Sequence, residues 1–231
     1  MRGVSDLHGA LPEIEPCDVL VLAGDLVPLE LQADATRSRN WFSTVFAAWL
    51  DGVPATEVVG VAGNHDFMLS WDLSRGVHRW LFDANWTYLQ DAGVRLECGL
   101  SVWGTPWSPG TSDWAFSSDE QALREAFKDI PDGLDVLITH TPPFGKGDRA
   151  PAAPDPLLGH LNDYRHIGSR ELQHAIHRAR PRLVVFGHVH ADGGWRIQID
   201  DTLYANVSVL DEAYRLVRSA SEPLLHTAES A

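Results

Sequence analysis

Four stretches of this chain share one pattern, a short run of Val, Leu and Ile that stops at a glycine or a histidine. They are "DVLVLAG" (Asp18–Gly24), "EVVGVAG" (Glu57–Gly63), "LDVLITH" (Leu134–His140) and "RLVVFGH" (Arg182–His188). Near-continuous apolar runs of this length suit strands covered on both faces, where no polar alternation is needed. The opening "MRGVS" reads as a shortened fifth example. A second group of short strands is predicted over Thr87–Leu89, Val94–Glu97, Leu100–Trp103, Arg196–Ile199 and Leu203–Asn206.

Helical periodicity separates these runs. In "SRNWFSTVFAAWL", Trp41, Phe42, Val45, Phe46, Trp49 and Leu50 form one wide apolar face. Ser118 with Gln121 resembles a capping box ahead of "ALREAF". Ser169 is a cap candidate for "RELQHAIHRAR", where Leu172, Ala175, Ile176 and Ala179 share a side. The alternation predicts a layered α/β domain with two sheets and helices packed outside them. No internal repeat or linker divides it, so a single domain over residues 1–218 is expected, with a flexible C-terminal tail over 219–231. The Pro/Gly-rich segment Lys146–Gly168 is long for a connection within a compact domain and is expected to be a lid or binding loop.

Composition narrows the class. The 231 residues suffice for a sizeable core, and 44% hydrophobic with 22% charged is ordinary for a globular chain. No apolar stretch reaches the roughly 18–20 residues of a membrane helix, and the N-terminus lacks a secretory apolar region. Cys17 and Cys98 are too few for a disulfide framework and fit a reducing, cytoplasmic setting. A net charge of −14 disfavours nonspecific binding to nucleic acid or anionic membranes. It leaves room for a small anionic substrate if bound divalent cations make one pocket positive.

The chemistry sits where the strands stop. Asp6 and His8 follow the first run, Asp25 the second, and Asn64, His65 and Asp66 the third; His140 ends the fourth, and His188 and His190 end the fifth. Ligands of open α/β sheets bind outside the carboxyl ends of the strands, so the five turns are expected to converge. In extended chain, residues i and i+2 point to one face, which would aim His188 with His190 and Asp6 with His8. That many groups exceed one four-coordinate site and suit two metals if a carboxylate bridges. Oxygen and imidazole donors favour manganese, iron, zinc or magnesium over a thiolate-bound metal.

The ordered set "DLH", "GD", "GNHD", "TH" and "GHVH" resembles the calcineurin-like metallophosphoesterase superfamily. "VWGTPWSPGTSDWAF", "ITHTPPFGKGD", "PRLVVFGHVHADGG" and "YANVS" resemble its metallophosphoesterase-domain branch, related to class III cyclic-nucleotide phosphodiesterases. The resemblance implies a four-layer α/β/β/α sandwich of two mixed sheets flanked by helices. It implies one metal held by Asp6, His8, Asp25 and His190 and another by Asp25, Asn64, His140 and His188, with Asp25 bridging. His65 would then face the substrate phosphate as the catalytic histidine, and Asp66 would position the loop or His65.

The implied activity is hydrolysis of small phosphoesters, phosphodiesters and cyclic nucleotides among them, by in-line attack of a hydroxide bridging two cations about 3.5–4 Å apart. A phosphomonoesterase with the same site is one alternative, and a low-turnover metal- or nucleotide-binding module another. The stretch after Asp25 is "LVPLE", without the Asp-Arg pair of "GDxVDRG", which argues against a phosphoprotein phosphatase. His78, His160, His166, His174 and His177 read as structural, the last two on a helix surface. Trp103, Trp107, Trp114 and Phe116 read as core or turn packing, with stacking on a substrate nucleobase as the alternative. Asn206 in "YANVS" is a candidate support for the site.

Overall fold

The computed structural model describes residues 1–74, 85–111, 113–151 and 164–225. The first half of the chain contains β1 (Arg2–Val4), β2 (Cys17–Ala23), α1 (Ala35–Trp41), α2 (Ala47–Gly52), β3 (Ala55–Val61) and α3 (Phe67–Ser74). Next come β4 (Thr87–Tyr88), β5 (Ala92–Arg95), β6 (Ser101–Thr105), β7 (Ser108–Pro109), β8 (Ser117–Ser118) and α4 (Glu120–Phe127). The second half adds β9 (Val136–Thr139), β10 (Arg149–Pro151), β11 (Tyr164–His166), α5 (Arg170–Ala179), β12 (Leu183–Phe186), β13 (Arg196–Ile199) and β14 (Thr202–Asn206).

Two sheets stack face to face. One has the order β1-β2-β3-β4 and the other β13-β14-β12-β9-β6-β5. The larger sheet is mixed: β6, β9, β12 and β14 pair in parallel, and its edges β5 and β13 run antiparallel. The smaller sheet is parallel at all three described pairings rather than mixed. Its described strands enter from the same end, which requires a crossover between neighbours rather than a hairpin.

The apolar runs reflect this double coverage. Along β2, Val19, Val21 and Ala23 meet Val136, Ile138, Leu183 and Val185 of the other sheet. The intervening Leu20 and Leu22 face Phe42, Phe46 and Leu50 of the outer helices. On the far side, Leu137, Val184 and Phe186 face Leu123 and Phe127 of α4 and Leu172 and Ile176 of α5. Both faces of the central strands are buried, giving the four-layer α/β/β/α sandwich.

Several local expectations shift by a residue or a face. A π-helical turn over Phe42–Phe46 joins α1 to α2. Phe42, Phe46 and Leu50 are buried, but Val45, expected on the same apolar face, is 48% exposed. The wider turn suits a spacing of four between aromatic core residues better than 3.6-residue turns do. Asp119 rather than Ser118 caps α4, its carboxylate accepting the Ala122 N–H, while Ser169 caps α5 as expected. His174 and His177 lie exposed on α5, and His166 pairs with Asp148; His78 and His160 lie outside the described residues, as do positions 152–163 of the long loop. No described helix is long and apolar enough to cross a membrane.

The predicted tail at 219–231 begins too early. Ser221 donates its N–H to Gly3 O and accepts the Gly3 N–H through Oγ, while Leu224 N–H bonds Met1 O. Leu224 enters the inter-sheet core beside Val185 and Val207, so Ser219–Leu225 forms a strap along β1. Residues 226–231 lie outside the described residues. Leu224→Ala is expected to lower unfolding free energy by about 2–3 kcal/mol, as for other buried leucines. Glu222→Ala, exposed on the same strap, should stay within about 0.5 kcal/mol of wild type. Urea denaturation compares them, and equal midpoints would contradict the packed strap.

Candidate metal centre

The two sheets are joined at the carboxyl ends of their parallel strands. Ser5 N–H bonds Val207 O, Asp6 N–H bonds Gly24 O, His8 N–H bonds Asp25 O, and Gly187 N–H bonds His140 O. These contacts lock the loops after β1, β2, β9, β12 and β14 side by side. Asp6, His8, Asp25 and His188 all adopt left-handed backbone angles, φ between 41° and 68°. Such angles are uncommon for residues other than glycine and recur at functional turns.

Seven of the sequence-predicted residues therefore share one cup. Asp6, His8 and His190 form one cluster of ligand-type atoms, and Asp25, His140 and His188 form a second. Asn64 joins the second through Oδ1, 2.9 Å from His140 Nε2. Asp25 Oδ2 lies 3.3 Å from His140 Nε2, 3.6 Å from His8 Nε2 and 4.0 Å from His65 Nε2. His65 also forms a three-residue cluster with His8 and Asp25, so it stands at the seam of the two sets.

Contrary to the expectation from their spacing, His188 and His190 do not aim together: the first joins the Asp25 cluster and the second the Asp6 cluster. His188 has φ 68°, and His190 opens a short 3-10 turn. The chain is not extended there, so the i, i+2 rule does not apply.

Hydrogen bonds orient the rings. His140 Nδ1 donates to Ala23 O at 2.9 Å and His190 Nδ1 donates to Asp211 O at 3.1 Å, leaving each Nε2 for the cup. Ser208 Oγ donates to Asp6 Oδ2 at 2.5 Å, and the His188 N–H donates to the same carboxylate. His65 Nδ1 meets Gln32 Oε1 at 2.6 Å, and its backbone N–H donates to Asp25 Oδ1. The buried Asp66 carboxylate accepts the N–H groups of Leu26, Val27 and Gly63, tying the Asp25 loop to the Asn64–His65 turn. Asn206 donates to Gly147 O and Val189 O, which supports the His188–His190 loop as expected. Ser208, Gln32 and Asp211 were not anticipated. Ser208 had a weak signal, lying two residues past Asn206 on the same strand end, whereas Gln32 sits in a polar loop with none.

Close approach explains two glycines. A Cβ on Gly63 would strike Asp25 Oδ1 and the His140 ring, and one on Gly187 would strike Ser5 Oγ and Asp6 Oδ2. Any side chain there would displace a candidate ligand.

The electrostatics are those of buried opposites. Burial acts to raise Asp25, but the charge of His140 holds it well below the usual carboxylate range. Asp6 is likewise lowered against its burial, by the hydrogen bond and charge of His190. Burial acts to lower His140 and His190, yet Asp25 and Asp6 respectively raise each to about 9. Burial lowers His8 to about 4, and burial with the neighbouring His140 lowers His188 to about 4. Burial and the nearby Asp25 charge push Asp66 up to about 7.

His8 supplies the test of fit. Its side chain is 2% exposed, and both ring nitrogens are buried without a hydrogen-bond partner. Burying an unpaired imidazole is unfavourable, and a metal ion would satisfy one nitrogen. Carboxylate, amide and imidazole donors, with no thiolate in the cup, fit a hard or borderline divalent cation.

Comparison with known proteins agrees with this geometry. The family model for calcineurin-like phosphoesterase matches residues 3–192. The human and mouse forms of metallophosphoesterase domain-containing protein 1 are each 30% identical over 239 aligned residues, covering 93% of this chain and 67% of theirs. The crystal structure of TT1561 from Thermus thermophilus superposes with TM-score 0.55 at 16% identity, over 94% of this chain and 96% of that one, and so shares its fold. With the strand-end motifs gathered in one cup and the match spanning most of its length, the chain belongs to the calcineurin-like phosphoesterase family.

Proposed function

We propose that this chain is a binuclear metal-dependent phosphoesterase acting on small phosphoesters, with phosphodiesters, including cyclic nucleotides, as the preferred class. The observation that carries this reading is the buried Asp25 carboxylate, which stands between the two ligand clusters with three histidine Nε2 atoms within 4.0 Å. Asp6, His8, Asp25 and His190 would hold one divalent cation; Asp25, Asn64, His140 and His188 would hold the other. Manganese, iron, zinc and magnesium all suit this donor set. Bound there, the cations would polarise a phosphoryl oxygen and make a water nucleophilic near neutral pH.

The residues of the chain then divide the remaining work. Asp25 supplies one carboxylate to both clusters, and Asn64 adds an oxygen without cancelling positive charge. Two dications against Asp6 and Asp25 leave the cup positive when its histidines are neutral, which attracts phosphate into a protein of net charge −14. His65 directs Nε2 into the cup while Gln32 holds Nδ1. That placement suits a proton donor to the leaving oxygen or a partner for its developing charge. Asp66 fixes the turn that carries His65. Cys17 and Cys98 are both free thiols, which suits a cytoplasmic setting.

Asp25→Ala is expected to lose both metals, measured as metal content after dialysis. His65→Ala should keep its metals but lose on the order of a hundredfold or more in kcat, the usual scale for a general acid. Equal metal loss in both variants would instead make His65 a ligand. Ser208→Ala should weaken metal affinity about tenfold without unfolding the chain, the scale seen when a ligand's supporting hydrogen bond is removed. Turnover of bis-p-nitrophenyl phosphate over p-nitrophenyl phosphate, dependent on manganese and abolished by chelator, tests the class. The reverse preference would indicate a monoesterase, and inertness of metal-replete protein to both and to cyclic nucleotides would indicate a binding module.

A further inference from the structure

Two large aromatic side chains at the rim of the cup stay nearly half exposed. Trp114 is 42% exposed, yet its ring centroid lies 4.7 Å from that of His65. Tyr214 is 45% exposed, with its ring 5.0 Å from His8 and 5.2 Å from His190. His8 and His65 are themselves in edge-to-face contact at 4.8 Å. Phe67 also packs against the Trp114 ring, at 5.9 Å. Trp114, His65, His8 and Tyr214 thus form a continuous series of rings in which Trp114 and Tyr214 stay exposed.

Neighbouring aromatics behave differently. Trp107 donates its indole N–H to Asp91 and packs edge-on against the buried Phe116. Among the described residues, neither the Trp114 indole N–H nor the Tyr214 hydroxyl has a hydrogen-bond partner. Both residues are nevertheless held in place. Ala115 N–H bonds Asn64 O, which ties the Trp114 loop to the turn bearing His65. Tyr214 donates its N–H to Asp211 O, the carbonyl that also receives His190 Nδ1. The Asp211 carboxylate accepts the N–H groups of Ala213 and Arg215 and pairs with the Arg215 guanidinium. This turn holds Tyr214 at φ 57°, an unfavourable angle for a bulky side chain, with its ring over two candidate ligands.

We infer that Trp114 and Tyr214 are specificity-determining residues that receive a planar ring carried by the phosphoester, so that the site favours ring-bearing esters over aliphatic ones. The inference rests on the phosphoesterase reading above. Aromatic faces left half in water beside a cationic cup suit a ligand with phosphate at one end and a flat apolar group at the other. Stacking of this kind tolerates many rings, because it uses the π-face rather than a hydrogen-bond pattern.

Calorimetric titration of the manganese-loaded full chain with phenylphosphonate and with methylphosphonate tests this without turnover, since neither carries a hydrolysable ester. Wild type should bind the phenyl compound at least about tenfold tighter, equivalent to about 1.4 kcal/mol. Trp114→Leu and Tyr214→Leu keep apolar bulk but remove the ring, and each should cut that ratio at least about threefold, whereas Tyr214→Phe should retain it. Equal affinity of wild type for the two phosphonates would overturn the inference while leaving the phosphoesterase reading intact. So would variants that lose metal affinity yet keep the ratio, because the rings would then merely shield the ligands. Failure of both phosphonates to bind metal-loaded protein would overturn the inference together with the reading beneath it.

Discussion

Two aspartates, Asp6 and Asp25, are held out of water at the junction of two sheets, 0% and 2% exposed. Removing a carboxylate from water costs on the order of several kcal/mol even after the surroundings relax, so such a group persists only with opposite charge or strong donors beside it. His140 and His190 supply positive charge, and the N–H groups of His65 and His188 with the Ser208 hydroxyl supply donors. His8 lies among them with neither nitrogen satisfied. A cation held in the cup would give one of those nitrogens its missing partner. That electrostatic requirement explains why five loops distant in sequence must close on one another so tightly.

The sandwich makes the closure feasible. Parallel strands deliver their carboxyl ends to one edge, and the bridge between Ser5 and Ser208 joins the two sheets there. Little room remains, so Gly63 and Gly187 stand where a methyl group would overlap a candidate ligand. The strap from Ser219 to Leu225 fastens β1, and with it the loop bearing Asp6 and His8, against the rest of the sheet. Stability far from the cup and geometry within it are therefore linked through a three-residue strand. The same C-terminal passage carries Asp211, which orients His190, and Tyr214, which overhangs it.

Much of this was legible in the residues because burial on both faces leaves an unmistakable apolar run, and a strand end at a binding crevice leaves a polar stop. The runs around β2, β3, β9 and β12 marked both the central strands and the candidate ligands that follow them. Features set by tertiary contact were hidden. The π turn at Phe42–Phe46 depends on how aromatic side chains meet the sheet, and Asp119 rather than Ser118 caps α4 through a one-residue difference in chain path. The strap at Ser219–Leu225 has no periodicity of its own, because it is held by backbone bonds to Met1 and Gly3. His188 and His190 diverge because His188 takes a left-handed angle, which spacing alone cannot reveal. Trp114 separates from Trp107 and Phe116 only once the path of the loop is known.

In the proposed centre, Asp25 would lend one carboxylate to two cations. Anomalous diffraction from a crystal of the full chain grown with manganese would locate them. Two manganese peaks about 3.5–4 Å apart, the separation typical of paired-metal hydrolases, are expected with the Asp25 carboxylate between them. A single peak, or two peaks of which one lies out of reach of Asp25, would rule out a shared carboxylate.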